Sequence, residues 1–427
     1  MNYAKLFFIL YFHVFFCAIS FSQGTTTSPY AQFGIGDMEP IGNARNVALG
    51  FGGSALASTH YINVLNPAFT AYNRTFVAFE CGLYVQQKRV TNDIASANSV
   101  GVNMQYLNLL LPLSSKNWTV TIGLRPYTNA NARYRSISLL ENNDSFVGYD
   151  TVSIQNINQG GLNTAFMSHA FRLPQGFCLG ISTGYVLGNI QKEQLYTLQR
   201  DNQQTLTQLI LYQNYTQLDV QLSLGYYKQI NDKYALSMGA SGSNAFDMNS
   251  TQVMENKVLD RSGYENRGFG KVYSDSTDNN KKSIKLPSVY RFGVNIDKLN
   301  KASISIDYQY TDWSVYQGFE TVSEFSGSHR YSAGVEYTPS YNSIKVINRI
   351  KYRFGAYFHE TPFKTAQKVY DIGASVGFGM PLGNKMLYSV NFSVTYGSRG
   401  SVVNESYTRF CLNFTINDKW FVRYRLD

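Results

Sequence analysis

The stretch Gly180-Ile-Ser-Thr-Gly184 fits the G-x-S-x-G pattern in which a serine hydrolase presents its nucleophile. That chemistry needs the serine on a sharp strand-to-helix turn, whereas Ser182 sits inside an alternating run with its side chain on the polar face, so the match is read as coincidence. His60, His169, His329 and His359 are scattered singly, with no pair at metal-ligand spacing. Cys81, Cys178 and Cys411 form neither a disulfide framework nor a zinc motif. No phosphate-binding loop or dinucleotide fingerprint occurs. The expectation is a protein that is not an enzyme and holds no metal and no cofactor.

The charged residues say more, because they fall at regular positions. From Asn66 to Gln87 the chain opens with a turn and then alternates: Val77, Phe79, Cys81, Leu83 and Val85 on one face, Ala78, Glu80, Gly82, Tyr84 and Gln86 on the other. That is the period of two imposed by a β-strand. A soluble sandwich would bury the apolar face on a second sheet, whereas a membrane barrel turns it to lipid and lines its lumen with the polar one. If lipid is the partner, Val77, Phe79 and Leu83 face it. The same parity then turns Glu80, Arg125, Asp219, Arg291, Asp307, Arg330, Glu336, Lys351, Arg353, Asp371 and Arg409 inward. Charges of both signs facing a narrow interior need partners or water. A salt-bridge network joining wall and plug is the expected arrangement, ahead of selective ion conduction.

Composition chooses between the two settings. Of 427 residues only 15% are charged while 15% are Phe, Trp or Tyr, including 33 tyrosines; soluble chains carry about 25% charged residues. Few charges with many tyrosines suit a lipid-facing band between aromatic girdles. The net charge of +9 is scattered, which gives no nucleic-acid signature and a weak affinity for acidic head groups of outer-membrane lipid and lipopolysaccharide.

About fourteen alternating segments follow Thr75, near 75–86, 101–111, 118–127, 160–172, 177–190, 216–229, 234–245, 288–297, 302–313, 329–338, 348–358, 369–380, 386–397 and 404–416. The faces of the fourth cannot be assigned. Most run to about 10–13 residues, the length of a tilted membrane strand and longer than the usual soluble one. Short turns (PLSSKN, LPQG, INDK, DKLNK, PLGNK) alternate with long polar connections, the pattern of periplasmic turns and extracellular loops. Both termini then fall on the periplasmic side. Residues 1–22, with Lys5, an apolar run and Ser20 and Ser22 before a cut at Gln23, read as a signal peptide. Cys17 follows Phe16, which argues against a lipoprotein. Residues 23–72, rich in glycine and other small residues, are expected to plug the lumen, and 73–427 to form the barrel.

The runs NPA (66–68), LLLPL, IGLRPYT, IDYQYTDWSVY and SAGVEYTP, in this order, resemble the FadL-type outer-membrane transporter family over essentially the whole mature chain. The resemblance implies an all-β fold, a transmembrane antiparallel barrel of about 14 strands with an N-terminal hatch, and passage of small hydrophobic molecules. It also implies a kink in the third strand that opens a lateral hole beside the hatch. Gly123, Arg125 and Pro126 lie in that strand, and a proline there removes a ladder hydrogen bond; Pro126 either opens such a break or simply ends the strand. With Asn66, Pro67 and Ala68 at the hatch end, these are the expected ligand-path residues. The alternative is a non-transporting scaffold, as in PorV-type relatives, serving an outer-membrane secretion or assembly complex. The chain lacks the terminal aromatic residue of many such barrels, and Trp420 and Phe421 are expected in the girdle instead.

Overall fold

The computed structural model describes residues 27–420 apart from 94, 115–116, 141–149, 201–202, 245–246, 260–279, 320–324, 365–366, 383–386 and 401–402. The signal segment and Phe421 lie outside the described residues. Fourteen strands close into one antiparallel barrel: β1 (Val77–Thr91), β2 (Ser96–Ser114), β3 (Trp118–Pro126 and Ala132–Leu140), β4 (Asp150–Arg172), β5 (Phe177–Arg200), β6 (Gln203–Gln229), β7 (Tyr234–Ser243 and Asp247–Leu259), β8 (Asn280–Lys285 and Ser288–Lys298), β9 (Ala302–Asp312), β10 (Ser328–Tyr337), β11 (Lys351–Lys364), β12 (Lys368–Leu382), β13 (Tyr388–Gly400) and β14 (Asn404–Asp418). The seam is the β1–β14 pair, running from Val77 opposite Asp418 to Thr91 opposite Asn404.

The outer face is apolar, as the alternation requires: Leu83, Leu222, Phe292, Ile306, Phe354, Ile372 and Phe414 are all exposed on it. On β10, Tyr331 and Tyr337 bracket this band, and Trp420 is exposed near the level of the short turns. An exposed apolar belt with tyrosines at its rims is the surface of a membrane-spanning barrel. Phe79 and Leu83 face outward, but Val77, the first residue of β1, is buried where the chain enters from the hatch.

Four strands correct the sequence-based lengths. β4, β5, β6 and the two parts of β7 continue far past the bilayer on the long-loop side, and β6 alone has 27 residues, against the 9–11 that a crossing needs. Polar residues in these extensions look like loop by composition, yet the ladder hydrogen bonds simply continue, for example Glu193 opposite Ile210. The connections after β3 and β7 are correspondingly shorter than expected, because Ala132–Leu140 and Asp247–Leu259 are strand.

The unassignable faces of β4 also have a cause. Gly160 and Gly161 both have positive φ, 103° and 156°, and a Cβ on Gly161 would lie 2.3 Å from the carbonyl oxygen of Thr128. Only glycine fits there.

Residues 27–76 occupy the lumen. Their one α-helix, α1 (Ala44–Ala48), starts at a capping box in which Asn43 and Asn46 bond each other's backbone N–H. The hatch backbone comes close to the wall where the wall has no side chain, at Gly239, Gly293, Gly334 and Gly355. At Gly355 an added Cβ would lie 2.2 Å from the amide nitrogen of Gly50. No helix among the described residues is long and apolar enough to cross a membrane.

Candidate functional site

β3 is broken after Pro126. Its lower half pairs with β2 up to Leu124 opposite Leu107, and its upper half, Ala132–Leu140, pairs only with β4. Among the described residues the β2 edge from Ser96 to Tyr106 therefore has no strand partner on this side. Residues 127–131 turn into the lumen, where Thr128 and Asn129 pair with Met38 and Asp37 of the hatch. Opposite them, β4 spends only residues 159–162 between its two pairings, so β3 carries one extra residue, a bulge aimed inward. A small crevice beside the break is lined by Pro40, Ile41, Gly42, Gln105, Arg125 and Pro126.

The expected ligand-path residues divide. Arg125 and Pro126 are at the break. Gly123 is three residues below it, hemmed in by Asn108 and Phe166, so it leaves no gap to fill. Asn66, Pro67 and Ala68, still in the hatch, sit against another part of the wall: they begin a 3-10 turn (Pro67–Tyr72), with Asn66 Nδ2 donating to the carbonyl of Leu224 at 2.9 Å and Ala68 N–H donating to Ser223 Oγ at 3.0 Å. The hatch segment at the break is Asp37–Gly42.

The inward charges bind wall to hatch. Glu336 accepts from Arg45 of the hatch at 2.9 and 3.1 Å and from Arg353 at 2.7 Å. Asp307 accepts the backbone N–H groups of Gly53 and Ser54, each at 2.6 Å, and Glu80 accepts that of Ile62 at 3.1 Å. Arg409 donates to Glu39 at 3.1 Å, while its guanidinium lies 4.3 Å from the centre of the Tyr84 ring.

Two partners, Arg399 and Lys88, lie beyond the strand ends expected from sequence, and a third, Glu405, lies inside the expected last strand. Arg399 makes a bidentate pair with Asp37 at 2.7 and 2.9 Å and also reaches Glu405 at 3.0 Å, and Lys88 lies 3.3 Å from Glu405. Extending the alternation two residues past 397 and 86 gives Arg399 and Lys88; Glu405 shares the parity of Arg409. Burial pushes the Asp37 carboxyl up, but Arg399 more than offsets this and holds it at about 2. Asp371 instead accepts from Tyr407 at 2.9 Å.

Above the hatch, Tyr30 packs on Phe363, which meets Phe325, itself 5.4 Å from Trp313 ring to ring. Below this aromatic cap is a cavity of about 120 Å³ between hatch and wall. Its lining mixes Phe51, Trp313 and Phe325 with the bases Arg291, Arg330, His359, Arg399 and Arg409 and the carboxylates Asp37, Glu39, Asp371 and Glu405.

Ser328, His359 and Asp371 meet in this cavity in an order resembling a hydrolase triad. Ser328 Oγ is 2.9 Å from His359 Nε2, and His359 Nδ1 is 4.0 Å from Asp371 Oδ2. Arg330, which can only donate, lies 3.1 Å from Nδ1. Nδ1 therefore accepts, the ring proton sits on Nε2 facing Ser328, and the imidazole has no free nitrogen with which to take the serine proton. Ser182 is bonded to Ser168 at 2.7 Å inside the sheet, far from any such turn. No group of three or more potential metal ligands occurs among the described residues.

The profile of one protein family, described as BamG, matches residues 4–427. No curated protein matches the chain. Among solved structures the fold is similar to the Pseudomonas putida toluene transporter TodX, with a TM-score of 0.57 and 13% identity over 91% of this chain and 100% of that one. It is also similar to the CymD monoaromatic hydrocarbon channel (0.55, 14%, 91% and 100%) and to a Pseudomonas aeruginosa FadL homologue (0.55, 12%, 90% and 99%). These likenesses bear out the FadL-type architecture.

Proposed function

The chain belongs to the BamG family, and from that premise, with its hatched barrel and broken third strand, we propose that it is an outer-membrane barrel for passive uptake of small hydrophobic molecules. Such molecules enter from the extracellular end and leave sideways into the lipid between β2 and the upper half of β3. The observation that carries this is the β2 edge that has no strand partner among the described residues, beside the inward bulge at residues 127–131. A sideways exit keeps an apolar solute out of water, which otherwise costs about 25 cal/mol per Å² of its surface. The similarity in fold to a toluene transporter and a monoaromatic hydrocarbon channel supports the same class of solute. Short turns and both termini lie on the periplasmic side in this reading, and the residues before 23 are removed on export.

The test replaces residues 127–131 by four strand-forming residues, which evens the pairing with β4 and closes the break. Uptake of labelled toluene or octane should fall to the level of cells lacking the protein while the barrel stays folded. Unchanged uptake would show that the break is not the exit.

A second reading, an accessory subunit of an envelope complex, is favoured by the turn between β10 and β11. It is held by Ser340 N–H donating to the carbonyl of Asn348 at 2.8 Å and presents Ile344 at 98% exposure beside Ile347 at 62%. Equal uptake with and without the protein, together with loss of a defined stoichiometric partner on Ile344→Asp, would move the assignment to this reading.

A further inference from the structure

On three neighbouring strands, Arg291, Gln309 and Arg330 sit directly opposite one another, Arg291 against Gln309 and Gln309 against Arg330. All three line the cavity under the aromatic cap. Adjacent strands are about 4.8 Å apart, so the two arginine backbones stand roughly 10 Å apart with the amide between them. That spacing lets two long side chains converge on one small group.

These arginines differ from the other wall cations in what they touch. Arg353, Arg399 and Arg409 each have a carboxylate within hydrogen-bond distance. Arg291 is only 6% exposed, yet its described polar contact is a neutral one, Nε to Gln309 Oε1 at 2.9 Å. Arg330 touches the neutral ring of His359, its Nε is buried with no partner, and its guanidinium lies 5.4 Å from the centre of the Phe51 ring. Arg291 is buried and Arg330 half-buried, and although Asp219 and Asp371 lie within electrostatic reach, among the described residues neither guanidinium has a carboxylate within hydrogen-bond distance; a guanidinium so placed matches planar oxyanions in particular. Gln309 is in turn oriented by donating to Thr311 Oγ1 at 3.2 Å.

We propose that the cavity is a binding site for a compact oxyanion, one carboxylate-sized group held between Arg291 and Arg330, with any ring it carries lying against Phe51 and Trp313. The volume of about 120 Å³ sets the size; an engineered cavity of about 150 Å³ takes benzene. Being somewhat smaller than that, the cavity takes a single-ring acid at most: benzoate is the largest acid proposed for it, and a long acyl chain is excluded. As a statement about cargo this rests on the uptake proposed above; as a binding site it does not, and it is tested without transport.

The full-length mature protein in detergent micelles is titrated with benzoate, acetate and inorganic phosphate by calorimetry, with Trp313 fluorescence as a second readout. Neutral benzyl alcohol is the control. Benzoate should bind at least tenfold more tightly than benzyl alcohol, and Arg330→Gln and Arg291→Gln should each weaken it at least tenfold. Arg330→Lys should recover part of the loss, since it keeps the charge and loses the fork. A folded barrel that binds benzoate no better than benzyl alcohol, or binds it equally well without either arginine, would overturn the site. Acetate or phosphate binding as tightly as benzoate would overturn the ring contact with Phe51 and Trp313 and keep the oxyanion. Failure of this titration with normal uptake of toluene would leave the transport reading standing.

Discussion

The lumen wall is two surfaces that treat charge in opposite ways. From β11 round to β1, Arg353, Arg399, Arg409 and Lys88 each lie within 4 Å of a carboxylate, and two of those carboxylates, Asp37 and Glu39, come from the hatch. From β3 to β10, Arg125, Asp219, Arg291 and Arg330 form no ion pair within that distance among the described residues, and Nη1 of Arg125 is buried without a partner. The hatch thus sends its acids to one side only. On one half the wall cations are paired with carboxylates; on the other, Asp307 and Glu336 hold the hatch while these three arginines are left for water or a ligand.

Removing an anchor should cost most. Glu336→Gln leaves the guanidinium groups of Arg45 and Arg353 facing each other without their shared anion, and a loss of about 3–5 kcal/mol is expected in denaturant unfolding. A loss near zero would mean that the carboxylate shared by Arg45 of the hatch and Arg353 of β11 is not an anchor. Gly355→Ala should follow, at about 1–3 kcal/mol, because the new methyl meets the hatch backbone and cannot be avoided by a rotamer. Its readout is faster protease cleavage between Gly50 and Gly53 than in the parent.

The Asp37–Arg399 pair sharpens the comparison through pH. The Asp37 carboxyl is depressed from 3.8 to about 2, so its stabilisation is complete above about pH 4 and is lost as the pH falls toward 2. Asp37→Asn should remove that part of the acid dependence, seen as flatter unfolding midpoints between those limits. Smallest of all should be Asp219→Asn on the open side, within about 0.5 kcal/mol of the parent; a large effect there would show that the two halves are alike.

Much of this arrangement could be read from the chain because a strand has only two faces. The inward positions of Glu80, Asp307, Glu336, Arg353, Asp371 and Arg409 followed from parity alone, as did the strand count. What parity cannot supply is the third dimension. Nothing local marks Asp37 and Met38 as partners of Asn129 and Thr128, which are some ninety residues away in sequence. The extensions of β4–β7 leave no alternation to read, because outside lipid both faces of a strand can be polar. Pro126 could be flagged, but whether it ends or interrupts a strand depends on Ala132–Leu140 rejoining β4.

The seam has a consequence for how the chain folds. β1 and β14 are the first and last strands made, and the hatch, which precedes both, touches each: Ile62 bonds Glu80 on β1, while Ala44 donates to Asn413 and Glu39 pairs with Arg409 on β14. Closing a barrel across more than three hundred residues is slow, and a slip of two residues keeps every side chain on its proper face, so alternation alone does not forbid it. Such a slip would carry Arg409 and Asn413 away from their hatch partners together. The plug is therefore also a gauge: it sits inside the unfinished cylinder as a template, and the register it accepts is the one in which the last strand finds its bonds already waiting.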